Sequence, residues 1–138
     1  MKKVIFYTVL LVLGTTLLGV VTSCQKYEDG PMISLRTRTE RIANNWRVET
    51  YNTDGTDLTS LYTNCTENFS KQGAYSYSCG LFDGLGTWKF QNNDQEIQLE
   101  GNDDKSSRKL TILKLKEDSF WYTFESNGNK TEVHLVSQ

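Results

Sequence analysis

The feature that most constrains the fold of this chain is an alternation of apolar and polar side chains that recurs from Trp46 to the C-terminal end. At its start, Trp46 and Val48 alternate with Arg47 and Glu49, which is the period of a half-buried strand. Similar segments follow, separated by short stretches that contain Gly, Asn or Asp, the residues that tolerate turn dihedrals. The predicted strands are 46–51, 65–70, 74–79, 86–91, 95–100, 108–115, 120–125 and 130–136. The turns predicted between the later strands are 71–73, 81–84, 92–94, 102–107, 116–118 and 126–129.

The same alternation predicts which side chains share the buried face. The predicted inward set is Trp46, Val48, Trp88, Phe90, Ile97, Leu99, Leu110, Ile112, Phe120, Tyr122, Phe124, Val133 and Leu135. Leu113 and Leu115 have the opposite parity to Leu110 and Ile112, so either a β-bulge lies near Leu113 or both faces are apolar there. Eight strands with one apolar face can bury it by curling until the first and last strands pair, which also removes exposed edges. The sequence therefore predicts an all-β domain, an eight-stranded antiparallel up-and-down barrel, ahead of the sandwich that the same strand spacing allows.

Two segments outside these strands are predicted to be helical. In 34–45, Ser34 can cap a short N-terminal helix on which Leu35, Ile42 and Ala43 share one face. The segment 57–62 is ambiguous, and a helical turn lying over one end of the domain is one interpretation of it.

The first 23 residues have the pattern of a secretory signal peptide. Lys2 and Lys3 precede a mainly apolar run over 4–21, and small residues end it. A transmembrane helix is the alternative, because the run approaches the length that crosses roughly 30 Å of hydrocarbon. The residues Val21-Thr22-Ser23-Cys24 resemble the bacterial lipobox, which favours cleavage before Cys24 and lipidation of its thiol. Acyl chains on Cys24 are then the expected membrane anchor.

The residues after this anchor bear on where the protein resides. Removing 23 of the 138 residues leaves 115, which we divide into a lipidated tether at 24–33 and one domain at 34–138. Residue 25 is Gln rather than Asp, which by analogy with enteric bacteria disfavours retention in the inner membrane and predicts an outer-membrane lipoprotein of the cell envelope. Lys26 followed by Glu28 and Asp29 is similar to a surface-export signal, but a plain solvated tether fits equally well.

Charge and cysteine content narrow the classes of function. Without the signal peptide, 13 Lys and Arg face 17 Asp and Glu, a net charge of −4 that argues against nucleic-acid binding. Cys65 and Cys79 lie symmetrically about Gln72 in a predicted hairpin, and an exported compartment permits a disulfide between them. Two free buried thiols are the alternative. Two cysteines without a nearby histidine argue against a metal site.

A set of short motifs spans nearly the whole mature chain. They are Cys24 with Tyr27-Glu28-Asp29-Gly30-Pro31, then Ser34-Leu35-Arg36, Trp46-Arg47-Val48, the hairpin Phe69-x-x-x-Gly73-x-Tyr75, and Gly86-Thr87-Trp88. In this order and spacing they resemble the lipocalin-like domain of Bacteroidetes lipoproteins, a relative of the lipocalin and calycin barrels. The resemblance implies that Trp46, just after a short helix, plugs one end of a lipocalin-like barrel. The chain departs from true lipocalins in being shorter and in lacking a clear C-terminal helix.

No pattern of side chains indicates catalysis. The single histidine, His134, lies between inward Val133 and Leu135, so parity places it on the outer face, where we expect it to be solvated. The chain has no Cys–His pair, no Gly-x-Ser-x-Gly motif, no phosphate-binding glycine run and no EF-hand spacing of its carboxylates. We therefore expect a protein that is not an enzyme and that needs no cofactor or metal ion.

Two functions of different classes remain. The first is a binding barrel that takes a small hydrophobic or amphipathic ligand at one mouth. Its candidate lining residues are Tyr75, Tyr77, Trp88, Phe90, Tyr122 and Phe124. The second is a barrel whose interior is filled by those same side chains. It would act as a lipid-anchored scaffold or surface interaction module through outer-face aromatics such as Trp121 and Tyr51. The sequence identifies no protein partner. A cavity of roughly 300 Å³ or more favours the first function, and a packed interior favours the second.

Overall fold

The alternating segments close into an antiparallel barrel in a computed structural model that describes residues 35–101 and 107–138. The strands in this part of the chain are β1 (Asn45–Thr53), β2 (Thr56–Asp57), β3 (Cys65–Phe69), β4 (Ala74–Cys79), β5 (Phe82–Gln91), β6 (Glu96–Gly101), β7 (Arg108–Leu115), β8 (Ser119–Ser126) and β9 (Asn129–Ser137). From β3 onwards each strand pairs with the next, and β1 pairs with both β3 and β9, which closes the barrel. The short β2 is an extra strand that pairs with the end of β1. The predicted eight-stranded up-and-down barrel is confirmed.

The β3–β4 hairpin has the predicted symmetry about Gln72. Cys65 pairs with Cys79 and Phe69 pairs with Tyr75 across the two strands. The opposed cysteines form a disulfide, so this prediction is also confirmed. The bridge joins β3 to β4 where β3 begins and β4 ends.

The β4–β5 hairpin is tighter than predicted. The turn expected at 81–84 was wrong, because Cys79 pairs with Phe82 and leaves only Gly80 and Leu81 between the strands. Gly80 has a φ of 66°, which suits the first central position of a two-residue type II′ turn. Gly84 lies inside β5 instead, opposite Tyr77, where a Cβ would come within 2.0 Å of the Tyr77 ring.

Two register shifts explain where the simple alternation breaks. One lies between Ile112 and Lys114 in β7, which confirms the bulge predicted near Leu113 and brings Leu115 into the core. The other lies between Val48 and Thr50 in β1. After it Tyr51 lies opposite Val133, which is fully buried, so Tyr51 faces inward rather than outward as its parity had indicated.

One end of the barrel is closed by a one-turn helix, α1 (Arg38–Ile42). Ile42 is fully buried, and its carbonyl oxygen accepts a hydrogen bond of 2.8 Å from the indole nitrogen of Trp46. The predicted helix over 34–45 was too long, because Thr37 is the N-cap and forms a reciprocal capping box with Glu40. Leu35 precedes this cap and is fully exposed, so it does not share the buried face; Ser34 lies outside the described residues.

Buried aromatic side chains fill the half of the barrel next to α1. Phe69 lies at the centre of an aromatic cluster, with its ring 5.0 Å from Tyr75, 5.8 Å from Trp88 and 5.7 Å from Phe120. The predicted inward side chains are buried here and elsewhere in the barrel, apart from Phe90 and Ile112, which are partly buried and packed against the core. These aromatic side chains leave little room for a ligand in this half of the barrel.

The opposite, open end carries a second one-turn helix, α2 (Thr59–Tyr62), between β2 and β3. It confirms the helical turn suggested for 57–62. The Tyr62 ring stacks on the Tyr51 ring at 3.7 Å, and the Thr59 hydroxyl oxygen accepts a hydrogen bond from the Tyr51 amide. Helix α2 therefore positions Tyr51 at the mouth of the barrel.

Candidate ligand-binding site

The open end of the barrel holds a cavity of about 420 Å³. Its walls include Tyr51, Thr53, Arg108, Phe124 and Thr131, which come from four neighbouring strands, β1, β7, β8 and β9. The ladder explains their direction, since Thr53 and Phe124 both lie opposite the buried Thr131. The hydroxyl oxygens of Thr53 and Thr131 are 3.0 Å apart and share a hydrogen bond. Hydroxyl groups and an aromatic ring thus line one space.

A cation faces into this cavity. Arg108 is the first residue of β7 and lies opposite buried Leu99, with the same inward parity as Leu110. Its guanidinium carbon is 4.9 Å from the centre of the Phe124 ring, within the range of a cation–π contact. Among residues 35–101 and 107–138, no carboxylate lies within 4.0 Å of this guanidinium.

Tyr51 supplies a neutral phenol to the same wall. Burial, together with the adjacent Tyr62, raises the pKa of Tyr51 to about 12, although the nearby Arg108 charge and a hydrogen bond with Thr131 act in the opposite direction. The phenol therefore keeps its proton at neutral pH. In that form it can donate a hydrogen bond to an acceptor in the cavity.

A buried carboxylate lies deeper in the barrel. Glu67 is in the middle of β3, on the inward parity of Cys65 and Phe69. The Tyr122 hydroxyl donates to one oxygen of this carboxylate at 2.5 Å, and the Tyr75 hydroxyl is 3.3 Å from the other. We call Glu67, Tyr75 and Tyr122 the polar layer. It joins β3, β4 and β8 across the barrel.

Burial and the neighbouring groups have opposing effects on the pKa of Glu67. Burial raises the pKa of the Glu67 carboxyl above its ordinary value, and this effect outweighs the two donated hydrogen bonds and the Arg108 charge, which lower it. Burial and the neighbouring carboxylate also raise the pKa of Tyr75 and of Tyr122, so both remain neutral donors. Part of the Glu67 residue is still accessible to solvent, while its carboxylate is enclosed by the two phenols.

The six candidate lining residues are distributed over the whole height of the barrel. Phe124 lines the open cavity, and Tyr75 and Tyr122 belong to the polar layer. Trp88 lies in the closed half, where its indole nitrogen donates to the Ser70 carbonyl oxygen at 2.9 Å and its ring meets Phe90 edge to face at 5.3 Å. The Tyr77 ring lies over Gly84. A role for these six side chains in ligand binding stays a prediction, and Phe124 is the one that the cavity supports directly.

Sequence reasoning missed three residues of this site: Tyr51, Glu67 and Arg108. For two of them, Glu67 and Arg108, the alternation of the strand does indicate an inward position. Glu67 alternates with Cys65 and Phe69, and Arg108 alternates with Leu110, yet the inward set was chosen for apolar character. A charged residue at an inward strand position was the signal that could have identified them. Tyr51 depended on the bulge in β1, for which the sequence shows no clear sign.

The outer face gives less support to an aromatic interaction patch. Trp121 is covered on its ring faces, by the His134 ring at 3.9 Å and by the Lys114 ammonium at 3.9 Å. His134 does lie on the outer face, as parity predicts, but it is partly buried and its ring nitrogen is 2.9 Å from the Glu132 carboxylate rather than freely solvated. Tyr51, the other aromatic residue considered for such a patch, lines the cavity instead.

Neither a metal centre nor a membrane-crossing helix is visible in the described part of the chain. Within residues 35–101 and 107–138, no three His, Cys, Asp or Glu side chains come together as a metal site would require. In the same residues, none of the helices has the length and apolar character needed to span a bilayer. The predicted lipidation site Cys24 and the signal peptide predicted at 1–23 lie outside these ranges.

Comparison with known proteins adds no family assignment. Neither a scan against protein-family models nor a search of curated proteins finds a match to this chain. The resemblance to lipocalin-like lipoproteins therefore stays a prediction, and the barrel and its open cavity are what a functional proposal can use.

Proposed function

We propose that this protein is a lipid-anchored barrel of the bacterial cell envelope that binds a small amphipathic ligand at its open end. In this proposal Cys24 carries the acyl chains that hold the protein at the outer membrane, and the residues 24–33 act as a tether. The barrel is a non-catalytic, lipocalin-like binding module. It uses no cofactor and binds no nucleic acid.

The open cavity is the observation that supports binding. At about 420 Å³ it falls within the range of small-molecule sites, which span roughly 300–1,000 Å³. Its lining combines an aromatic wall, Phe124, with convergent polar groups such as Arg108 and Thr131. Specific ligand sites use placed polar groups to orient a ligand, and most of the described side chains around this cavity are polar.

A filled scaffold is the second candidate, and exposed apolar side chains favour it. Leu81, Phe82 and Leu85 are 98%, 75% and 64% exposed on and beside the β4–β5 turn. Such side chains can contact a protein partner without any use of the barrel interior.

The experiment that separates these functions fills the cavity. The mature chain, made with Cys24→Ser so that it stays unlipidated, is purified and examined by native mass spectrometry for a co-purifying small molecule. Thr53→Trp places a large ring in the cavity and is expected to abolish binding. Thr50→Trp, on the outer face of the same strand, is the matched control and should leave binding unchanged. A wild-type protein that carries no small molecule, and that no amphiphile stabilises against heat, would favour the scaffold.

The anchor needs its own test. Cells given an alkyne-tagged fatty acid should incorporate the tag into the wild-type protein, and Cys24→Ala should abolish both the tag and the cleavage of the signal peptide. Ser23→Ala keeps a small residue before the cysteine and should preserve both. Tag incorporation in Cys24→Ala would contradict the lipoprotein assignment.

A further inference from the structure

A cation in a water-accessible cavity determines which part of an amphiphile can enter. The Arg108 guanidinium packs against Phe124 and meets no carboxylate of the described residues within 4.0 Å. The buried carboxylate of Glu67 is already held by the hydroxyls of Tyr122 and Tyr75. The planar guanidinium presents several donors in a fork that matches a carboxylate or phosphate group. Arg108 can therefore offer its donors to an anion that enters from solvent.

Neutral hydroxyl groups line the same cavity as this cation. The phenol of Tyr51 keeps its proton because its pKa is raised to about 12 by burial, and the hydroxyls of Thr53 and Thr131 lie on the same wall. Hydroxyl groups can donate to an anionic oxygen without adding charge of their own. A single negative charge at Arg108 would thus meet one cation and several hydroxyl donors, a combination that an alcohol or alkane cannot use equally well. The one carboxylate among the described lining residues is Glu125, which is exposed to solvent at the edge of the cavity.

Buried side chains occupy the space below the cavity. The polar layer crosses the barrel there, and Tyr122 is only 2% exposed. Beyond it, Phe69 and Trp88 are buried in the packed aromatic cluster of the closed half. An apolar tail pointing down the barrel would have to displace these rings and break the hydrogen bonds to Glu67.

Apolar surface is available at the mouth instead. Helix α2 and the β4–β5 turn both lie at the open end, and they expose Leu61, Leu81 and Phe82 by 73%, 98% and 75%. Covering such exposed apolar side chains with an apolar group is energetically favourable.

We propose that the open cavity binds the anionic head of an amphiphile, a carboxylate or phosphate group, head first against Arg108, while the apolar tail lies across the rim. This inference rests on the proposed binding function and adds the class of ligand and its direction. Arg108 is the residue that recognises charge, Phe124 forms the wall on which it rests, and the filled half of the barrel sets the depth of entry.

The first experiment measures affinity by calorimetry for three probes. Dodecanoate and dodecyl phosphate are used below their critical micelle concentrations, and dodecanol is used below its solubility limit. The full mature chain with Cys24→Ser is used. At least one anionic probe should bind more tightly than dodecanol, and Arg108→Met should weaken that probe about tenfold or more, as expected for loss of a charge-assisted hydrogen bond. Arg47→Met removes an exposed outer-face arginine and should leave all three affinities unchanged. The tighter of the two anionic probes identifies the head group.

The outcomes separate this inference from the proposed function. If none of the probes binds and no small molecule co-purifies, the binding function itself fails. If dodecanol binds as tightly as both anions, or if Arg108→Met has no effect on them, ligand binding stands and recognition of the anion is overturned.

The second experiment tests direction. Trp88 and Trp46 lie in the closed half, so a bromine atom on the far end of a dodecanoate tail would quench their fluorescence only if the tail entered first. We expect 12-bromododecanoate to quench no more than 2-bromododecanoate, with Trp121 on the outer face replaced by Phe to remove its background. Stronger quenching by the 12-bromo isomer would overturn head-first entry.

Discussion

Replacing Tyr122 with Phe tests how the barrel tolerates a buried carboxylate. The Tyr122 hydroxyl donates to Glu67 at 2.5 Å, and the residue is almost fully buried. Phenylalanine keeps the ring, so packing against Phe120 and Phe124 should survive and the change isolates the hydroxyl. The loss leaves Glu67 with the weaker 3.3 Å hydrogen bond from Tyr75.

The cost of this substitution should depend on pH. A hydrogen bond to a charged group contributes about 1.5–3 kcal/mol, and one between neutral groups contributes about 0.5–1.5 kcal/mol. Burial raises the pKa of Glu67, so a folded chain holds its proton at pH values where an unfolded chain has lost it. The free energy of unfolding of the wild type should therefore fall as pH rises from the ordinary Glu pKa of 4.5 through the raised value. Tyr122→Phe removes a group that lowers the Glu67 pKa, so this fall should be larger in the variant.

The measurement is urea unfolding of the oxidised protein at a series of pH values from acid to mildly alkaline. Tyr122→Phe should cost about 0.5–1.5 kcal/mol in acid and about 1.5–3 kcal/mol at high pH. Tyr77→Phe is the matched control, because the Tyr77 hydroxyl makes no hydrogen bond with any residue in 35–101 or 107–138. In a Glu67→Gln background the cost of Tyr122→Phe should become independent of pH. An equal cost in acid and in alkali in the wild-type background would refute this account of the polar layer.

The remaining predictions concern the barrel itself. Replacing both Cys65 and Cys79 with Ala should lower the free energy of unfolding by roughly 3 kcal/mol in the chain-entropy model, because the bridge closes a loop whose ends are 14 residues apart. Reduced wild-type protein should show the same loss. A change below about 1 kcal/mol would contradict this prediction. Gly86→Ala should destabilise the barrel by about 1–3 kcal/mol, since a Cβ there would lie 2.3 Å from the Glu100 carbonyl oxygen of the neighbouring strand. Thermal unfolding measures this cost, and the outer-face change Ser78→Ala should shift stability by no more than about 0.5 kcal/mol.

Alternation predicted the strands well because each one packs a single face against the core. Strands β4 and β7 begin and end where the pattern placed them, and the bulge near Leu113 followed from a visible break in parity. The glycines were harder to interpret. Gly84 was taken as a turn residue, yet it lies in a strand because the Tyr77 ring needs its missing side chain. A sequence does not distinguish a glycine that turns the chain from one that makes room for a ring on the next strand.

The candidate site was predicted less well, and the reason is chemical. The expected lining consisted of aromatic residues, but most of these pack against one another in the closed half, as Trp88 does with Phe69. The side chains that line the open cavity are mostly charged or hydroxyl-bearing. A search for periodic apolar residues does not detect them. Arg108 and Glu67 both occupy inward positions, where a rule based on hydrophobicity treats a charge as an exception.

Those inward charges favour a binding barrel over a filled one. Replacing buried charged groups with apolar side chains of similar size is often neutral or stabilising, so packing alone gives no reason to keep Glu67 and Arg108 inside. Inward positions in the closed half hold residues such as Ile97 and Leu115, which fill the barrel at no electrostatic cost. Positions that break the local rules of folding are expected at functional sites, where stability is lost in exchange for recognition. Of the two charges, Arg108 lines the cavity that opens to solvent, whereas the Glu67 carboxylate lies below it and is held by two phenols. Arg108 is therefore the charge that a ligand entering from solvent can reach.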